Sequence, residues 1–157
     1  MFGRRFSMIL AFLAASWIPL ATAKDVALVS NKSNGLQSIT MAELARACKG
    51  QTNRWADGRP VTVIILDPAA SEMKLVLQKI YALKPEDVKA LIVSANHGRA
   101  NHPAIVVASS EEDLVEKVKS IPGAIGLVDV YSITSGVTVV KIGGKNPFEA
   151  GYPLHGN

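Results

Sequence analysis

The chain holds 157 residues, 48% hydrophobic and 19% charged, with 12 Gly, 8 Pro and a single Cys. That is room for one domain with its own core and too little for two large lobes. The apolar share excludes a disordered chain, and the lone Cys48 excludes a disulfide scaffold. Seventeen basic against thirteen acidic side chains leave a net charge of +4.

The first segment reads as an address. Arg4 and Arg5 precede an uncharged stretch, Phe6 to Leu20, which Pro19 breaks, and Ala21-Thr22-Ala23 then supplies a small-x-small cleavage pattern. A retained membrane anchor is the rival reading. The whole uncharged run, Phe6 to Ala23, only just reaches the length of about 17 residues that a spanning helix needs, and Pro19 and Thr22 weaken it, so we expect cleavage after Ala23. This predicts a periplasmic protein with no membrane span after signal cleavage. Removing Arg4 and Arg5 from the 17 basic residues leaves 15 against 13 acidic, a net +2 over residues 24–157. With no Lys/Arg run in the chain, that charge excludes a nucleic-acid partner.

Val26 to Ser30 is a short apolar run that ends in polar Asn31 to Gly35, a buried strand leading into a loop. Thr40 with Glu43 three residues on is a capping box. It starts a helix that carries Leu44, Ala45 and Cys48 inward and stops at Gly50. Val61 to Leu66 is mostly β-branched and nearly all apolar, as a strand covered on both faces should be. Asp67-Pro68 reads as an N-cap followed by Pro at the first helical position. Met73, Val76, Leu77 and Ile80 then form one helical stripe running to about Ala82.

Pro85 opens a shorter helix with Val88, Leu91 and Ile92 inward, and Ser94 to Pro103 is read as a loop containing His97 and His102. Ala104 to Ala108 is the third strand. Ser109-Ser110 caps a helix with three acids in its first turn and Lys117 and Lys119 in its last, matching the helix dipole at both ends. Its inner stripe is Leu114, Val118 and Ile121. Ile125 to Val130 and Val137 to Ile142 complete the strands. The order β-α-β-α-α-β-α-β-β is that of an α/β domain with a mostly parallel or mixed sheet flanked by helices.

No catalytic signature stands out. H-E-x-x-H, C-x-x-C and G-x-S-x-G are absent, and neither phosphate-loop pattern is present. His97 and His102 lie five apart without a neighbouring carboxylate or third loop ligand, so they read as polar loop residues rather than metal ligands. We expect neither enzyme activity nor a cofactor.

Three segments are more informative: Leu44 to Gly50 at the end of the first helix, the turn Trp55-Ala56-Asp57-Gly58, and Val118 to Val128, which contains Ile121-Pro122-Gly123-Ala124-Ile125-Gly126. In order and spacing they resemble the phosphate-binding periplasmic proteins of ABC transporters. Those carry a helix of the form LxxIFxGK, a W-x-D-G turn and later V-x-x-x-P-G-A-I-G-Y-V. Tyr152-Pro153-Leu154 is similar to the same family. The resemblance covers Val26 to Ile142 and implies a single lobe of the type II binding-protein fold, with non-catalytic binding of phosphate or another small oxyanion. Gly123 and Gly126 read as places of tight turning and close helix approach, and Trp55 as a plug between loop and sheet.

Family members that trap phosphate carry Arg-x-Asp-Gly-Ser-Gly-Thr after the second strand. Here that stretch is Asp67 to Met73, in which only Ser71 is kept and Asp67 stands in the Arg position. Lys74 is a compensating cation or part of a solvated helix face. Ser71, with Asn31 at the end of the first strand, is the candidate ligand-binding set. One lobe alone leaves an anion solvated unless a partner supplies the other wall. The partners expected are therefore a small oxyanion and an envelope or transporter protein. A ligand-free protein–protein interaction module built on the same lobe is the alternative. The expected layout is a signal peptide over 1–23, the α/β domain over 24–142 and an irregular C-terminal tail over 143–157.

Overall fold

The structure is a computed structural model that describes residues 24–156, so the signal-peptide expectation lies outside the described residues. Six strands form one sheet: β1 (Val26–Asn31), β2 (Ser38–Ile39), β3 (Thr62–Ile65), β4 (Ile105–Val107), β5 (Ala124–Asp129) and β6 (Val137–Ile142). Four helices accompany them: α1 (Met41–Cys48), α2 (Lys74–Val76), α3 (Pro85–Asn96) and α4 (Glu111–Ser120). The sheet order is β2-β6-β1-β5-β3-β4.

The sheet is mixed. β3 runs parallel to both β4 and β5, as the intervening helices dictate. β1 runs antiparallel to β5 on one side and to β6 on the other. All six residues of β1 and all four of β3 are buried, because helices cover both faces. Among the described residues no helix is long and apolar enough to cross a membrane.

Local chemistry explains most boundaries. Thr40 and Glu43 form the reciprocal capping box of α1, Thr40 Oγ1 accepting from the Glu43 amide while the Glu43 carboxylate accepts from the Thr40 amide. α1 buries Leu44, Ala47 and Cys48, and leaves Ala45 half-buried. The chain then turns at Gly50, whose φ is +72°. Ser110 caps α4, which buries Leu114, Val115 and Val118.

The motifs of the sequence meet. The Trp55 indole N–H donates to the Gly123 carbonyl at 2.8 Å, tying the W-x-D-G turn to the start of β5. Gly123 has φ +87°, and a Cβ there would sit 2.0 Å from the Pro60 carbonyl oxygen. A Cβ on Gly126 would meet Leu114 and Val118 at 2.6 and 2.8 Å, which is how closely α4 lies on β5.

Two readings of the sequence need correction, and one element is added to them. Asp67 does not start a helix: its Oδ1 accepts from the Ala69 amide in a local turn, and the helical run begins at Ser71. The side-chain bond offers the backbone an alternative to helix. From Ser71 the run passes through a 3₁₀ turn and α2 into a π turn, Leu77–Tyr81, ending at left-handed Ala82. The Met73, Val76, Leu77 and Ile80 stripe is buried as expected. α3 is long rather than short, running 12 residues to Asn96, and the loop after it starts at His97. Finally, β2 has only two residues, and its parallel pairing with β6 leaves no pattern in the sequence.

Residues 143–156 contain no helix or strand yet close the core. Tyr152 and Leu154 are buried, the Tyr152 hydroxyl donates to the Val26 carbonyl, and the Leu154 carbonyl accepts from the Val26 amide.

Candidate functional site

The parallel strands β3, β4 and β5 end at one edge of the sheet, where antiparallel β1 begins. In open α/β sheets this carboxyl edge is where ligands find a crevice. Two adjoining cavities open there. One, of about 470 Å³, is lined by Lys24, Asp25, Ser71, Glu72, Lys74, Glu111 and Asp129, with others. The second, of about 550 Å³, includes Asp67, Ser109 and Ser110 and shares Glu72 and Glu111 with the first.

Ser71 therefore stands in the crevice. It is exposed, and its hydroxyl donates to Glu72 Oε2 at 3.2 Å. Asn31 is at the opposite edge, since it closes β1 where β5 starts. Its amide nitrogen donates to the Val118 and Lys119 carbonyls at 2.9 and 3.0 Å, and its Oδ1 accepts from the Ser33 amide and hydroxyl. The structure does not bring the two candidate residues together, and the hydrogen-bonding capacity of Asn31 is taken up in holding the end of α4.

Sequence reasoning missed most of the remaining lining, because Lys24 with Asp25, Glu111 and Asp129 come from three separate places in the chain. Asp25 is buried at 2% exposure, accepting from the Phe148 amide at 2.7 Å and facing His155 Nδ1 at 2.5 Å. Asp129 pairs with Lys24 at 3.2 Å. Glu111 accepts from the Asp129 amide and the Ser132 hydroxyl. Asp67 pairs with Lys89 at 3.6 Å, and the Ala69 amide with that lysine holds its carboxyl below the usual range. Ser109 and Ser110 are bound to Asp113, whose carboxyl the Lys117 ammonium and the Ser109 amide also hold low.

The crevice is rich in acceptors. Four carboxylates and two lysines line the first cavity, and Lys74 makes no ion pair among the described residues. Among the described residues no group of three His, Cys, Asp or Glu is placed to hold a metal ion. The two loop histidines lie at the other edge, where β3 and β4 begin.

A mixed α/β sheet with an open polar crevice at the carboxyl ends of its parallel strands is a build that offers a small ligand a place to sit. The chain belongs to the PBP superfamily: the family described as the PBP superfamily domain matches residues 18–152. No curated protein matches the chain.

Solved structures share the fold. An ABC-type phosphate transport receptor from Vibrio cholerae superposes with a TM-score of 0.69 at 15% identity, over 85% of this chain and 54% of that one. PstS from Borrelia burgdorferi gives 0.63 at 14% identity, over 86% and 55%. A putative phosphate ABC transporter substrate-binding protein with bound phosphate, from Clostridium perfringens, gives 0.62 at 16%, over 78% and 46%. The chain spans about half the length of the solved proteins it matches.

Proposed function

We propose that this chain is an extracytoplasmic, non-catalytic binding lobe for a small oxyanion of the phosphate type and serves an ABC-type uptake system. Residues 1–23 route it to the periplasm. The observation that carries the reading is the crevice holding Ser71, Lys74 and Lys24 at the carboxyl edge, in a fold shared with about half of an ABC-type phosphate transport receptor and of a putative phosphate ABC transporter substrate-binding protein. Ser71 Oγ and the two ammonium groups donate to the oxyanion, and Asn31 serves the scaffold.

The acidic lining suits this ligand better than its charge suggests. Phosphate keeps a P–OH donor through the neutral range, and the Glu72 and Glu111 carboxylates accept from it. Sulfate has no such proton and meets only repulsion from them. Water reaches the crevice, so each charge-assisted bond is weakened until a second wall covers it.

Calorimetric titration at low salt tests the reading. Phosphate binds and sulfate does not, and Ser71→Ala weakens phosphate by roughly tenfold, the worth of one hydrogen bond to a charged ligand. Absence of heat with phosphate rejects the proposal.

A second reading, a protein-interaction module on the same lobe, is favoured by one observation. Tyr131 and Phe148 flank the crevice at 72% and 66% exposure with ring centroids 6.0 Å apart. Cross-linking in the periplasm that recovers only the monomer rejects it.

A further inference from the structure

The opposite edge of the sheet, where β3 and β4 begin, has the reverse electrostatics. Two stretches noted in the sequence, the surroundings of the Trp55-Ala56-Asp57-Gly58 turn and the Ser94 to Pro103 loop, come together there, with Asn53, Arg54 and Pro60 of the first meeting Gly98 to His102 of the second around a cavity of about 580 Å³. Arg54, Arg99 and His102 line it with Asn53 and Asn101, and no carboxylate does. Asp57, the one acid of the first turn, is occupied by the Arg59 amide at 3.0 Å and the Arg59 guanidinium at 3.5 Å.

The walls are held by the scaffold. Arg54 Nη1 donates to the Gly58 carbonyl at 2.7 Å, and Arg99 Nη2 donates to Asn53 Oδ1 at 2.5 Å, which ties one turn to the other. The Asn53 carbonyl accepts from the Val61 amide, anchoring the first turn to the start of β3. Asn96 anchors the second: its amide nitrogen donates to the Ile105 carbonyl at 2.8 Å and its Oδ1 accepts from the Ile105 amide at 3.0 Å. Within that turn the Arg99 amide donates to the Asn96 carbonyl and the His102 amide to the Arg99 carbonyl.

We propose that this cavity is a second anion site, distinct from the crevice, which takes a phosphate group either free or as the monoester end of a larger solute. A guanidinium has five N–H donors, and each of these uses one on the protein, so both arginines keep the forked face that matches a phosphate. His102 and the Asn101 side chain add hydrogen-bonding capacity at the rim. The pre-set positions of both arginines reduce the entropy that binding costs. This site goes beyond the crevice reading and does not rest on it.

Nuclear magnetic resonance titration of the purified protein at low salt separates the two sites, with inorganic phosphate and methyl phosphate as probes. Expected are saturable shifts of the Arg54 and Arg99 side-chain N–H groups and of the Gly98 to His102 amides. Arg54→Gln with Arg99→Gln weakens this response at least tenfold, whereas Ser71→Ala leaves it unchanged. Arg99→Lys keeps the charge but loses the fork, and gives an intermediate loss. A response to both probes assigns the site to the phosphate group alone, and a response to methyl phosphate alone assigns it to an esterified solute. Shifts confined to the crevice around Ser71 and Lys74, or shifts linear in concentration at the Arg54–Arg99 cavity, overturn the proposal. Since the wild-type spectra carry that outcome, it does not depend on the variants folding.

Discussion

Gly126 shows how much one missing methyl group decides. Its backbone lies under Leu114 and Val118, so an added Cβ meets both side chains inside van der Waals distance. Leu114 Cδ2 is the end of a side chain that can turn away, but Val118 Cγ2 is held by the stiff χ1 of a β-branched residue in a helix, so relief comes from a shift of α4. Gly126→Ala therefore costs about 1–3 kcal/mol, read as a lower denaturation midpoint with an unchanged denaturant slope. Cys48 is the opposite case, a side chain that is chemically silent because of where it sits. It is fully buried beside the Tyr81 hydroxyl, which donates to the Cys48 carbonyl, and burial pushes its thiol up to about 12. A disulfide-exchange reagent at pH 8 leaves the native protein unmodified and labels one thiol after denaturation.

At the scale of elements, the N-terminus of α4 makes stability depend on pH. The Lys117 ammonium and the Ser109 amide keep the Asp113 carboxyl below its ordinary value of 3.8. The folded state therefore holds this proton less readily than the unfolded chain does. The stabilisation is fully present above 3.8 and is lost as pH falls through the lower folded value. Asp113→Asn lowers the melting temperature at pH 6, and the gap to the wild type closes in acid. Caps of this kind were legible in the sequence: Thr40 with Glu43 and Ser110 before its acids each act within one turn of chain. The start of α2 was not legible, because Asp67-Pro68 suits both a helix start and a local turn, and only the neighbouring Lys89 and the packing of Met73 separate the two. The candidate site divides in the same way. Ser71 could be singled out because it sits in a recognisable stretch, whereas Asp25 and Asp129 carry no local pattern and Glu111 reads only as an acid at a helix start.

For the whole molecule, the central position of β1 and the flanking of β3 on both sides set where the structure is firmest. β1 lies between β5 and β6, and β3 between β5 and β4, with both of their faces buried. Amide hydrogen exchange is accordingly slowest at Ala27 to Val29 and Val63 to Ile65. It is faster in the two-residue edge strand β2 and in β4, where Val107 is 43% exposed. Uniform protection across all six strands would contradict this arrangement. The sheet also separates charge, with four carboxylates around the cavity at the carboxyl edge and two arginines without an acid around the cavity at the other. The two sites proposed for phosphate chemistry therefore differ in kind, one reading the proton of the ligand and the other its charge.

The sequence by itself determined the α/β class, the buried strands β1, β3 and β5, the helix caps and the family resemblance. All of these rest on short-range periodicity, on turn chemistry or on motifs contained in a few residues. Only the tertiary structure decided that β1 runs antiparallel between β5 and β6, that β2 exists, and that Tyr152 and Leu154 seal the core. It also decided that Asn31 and Ser71 lie at opposite edges. Strand direction, edge pairing and the company a side chain keeps depend on residues far apart in the chain, whose approach is set by the packing of the whole sheet rather than by any local preference.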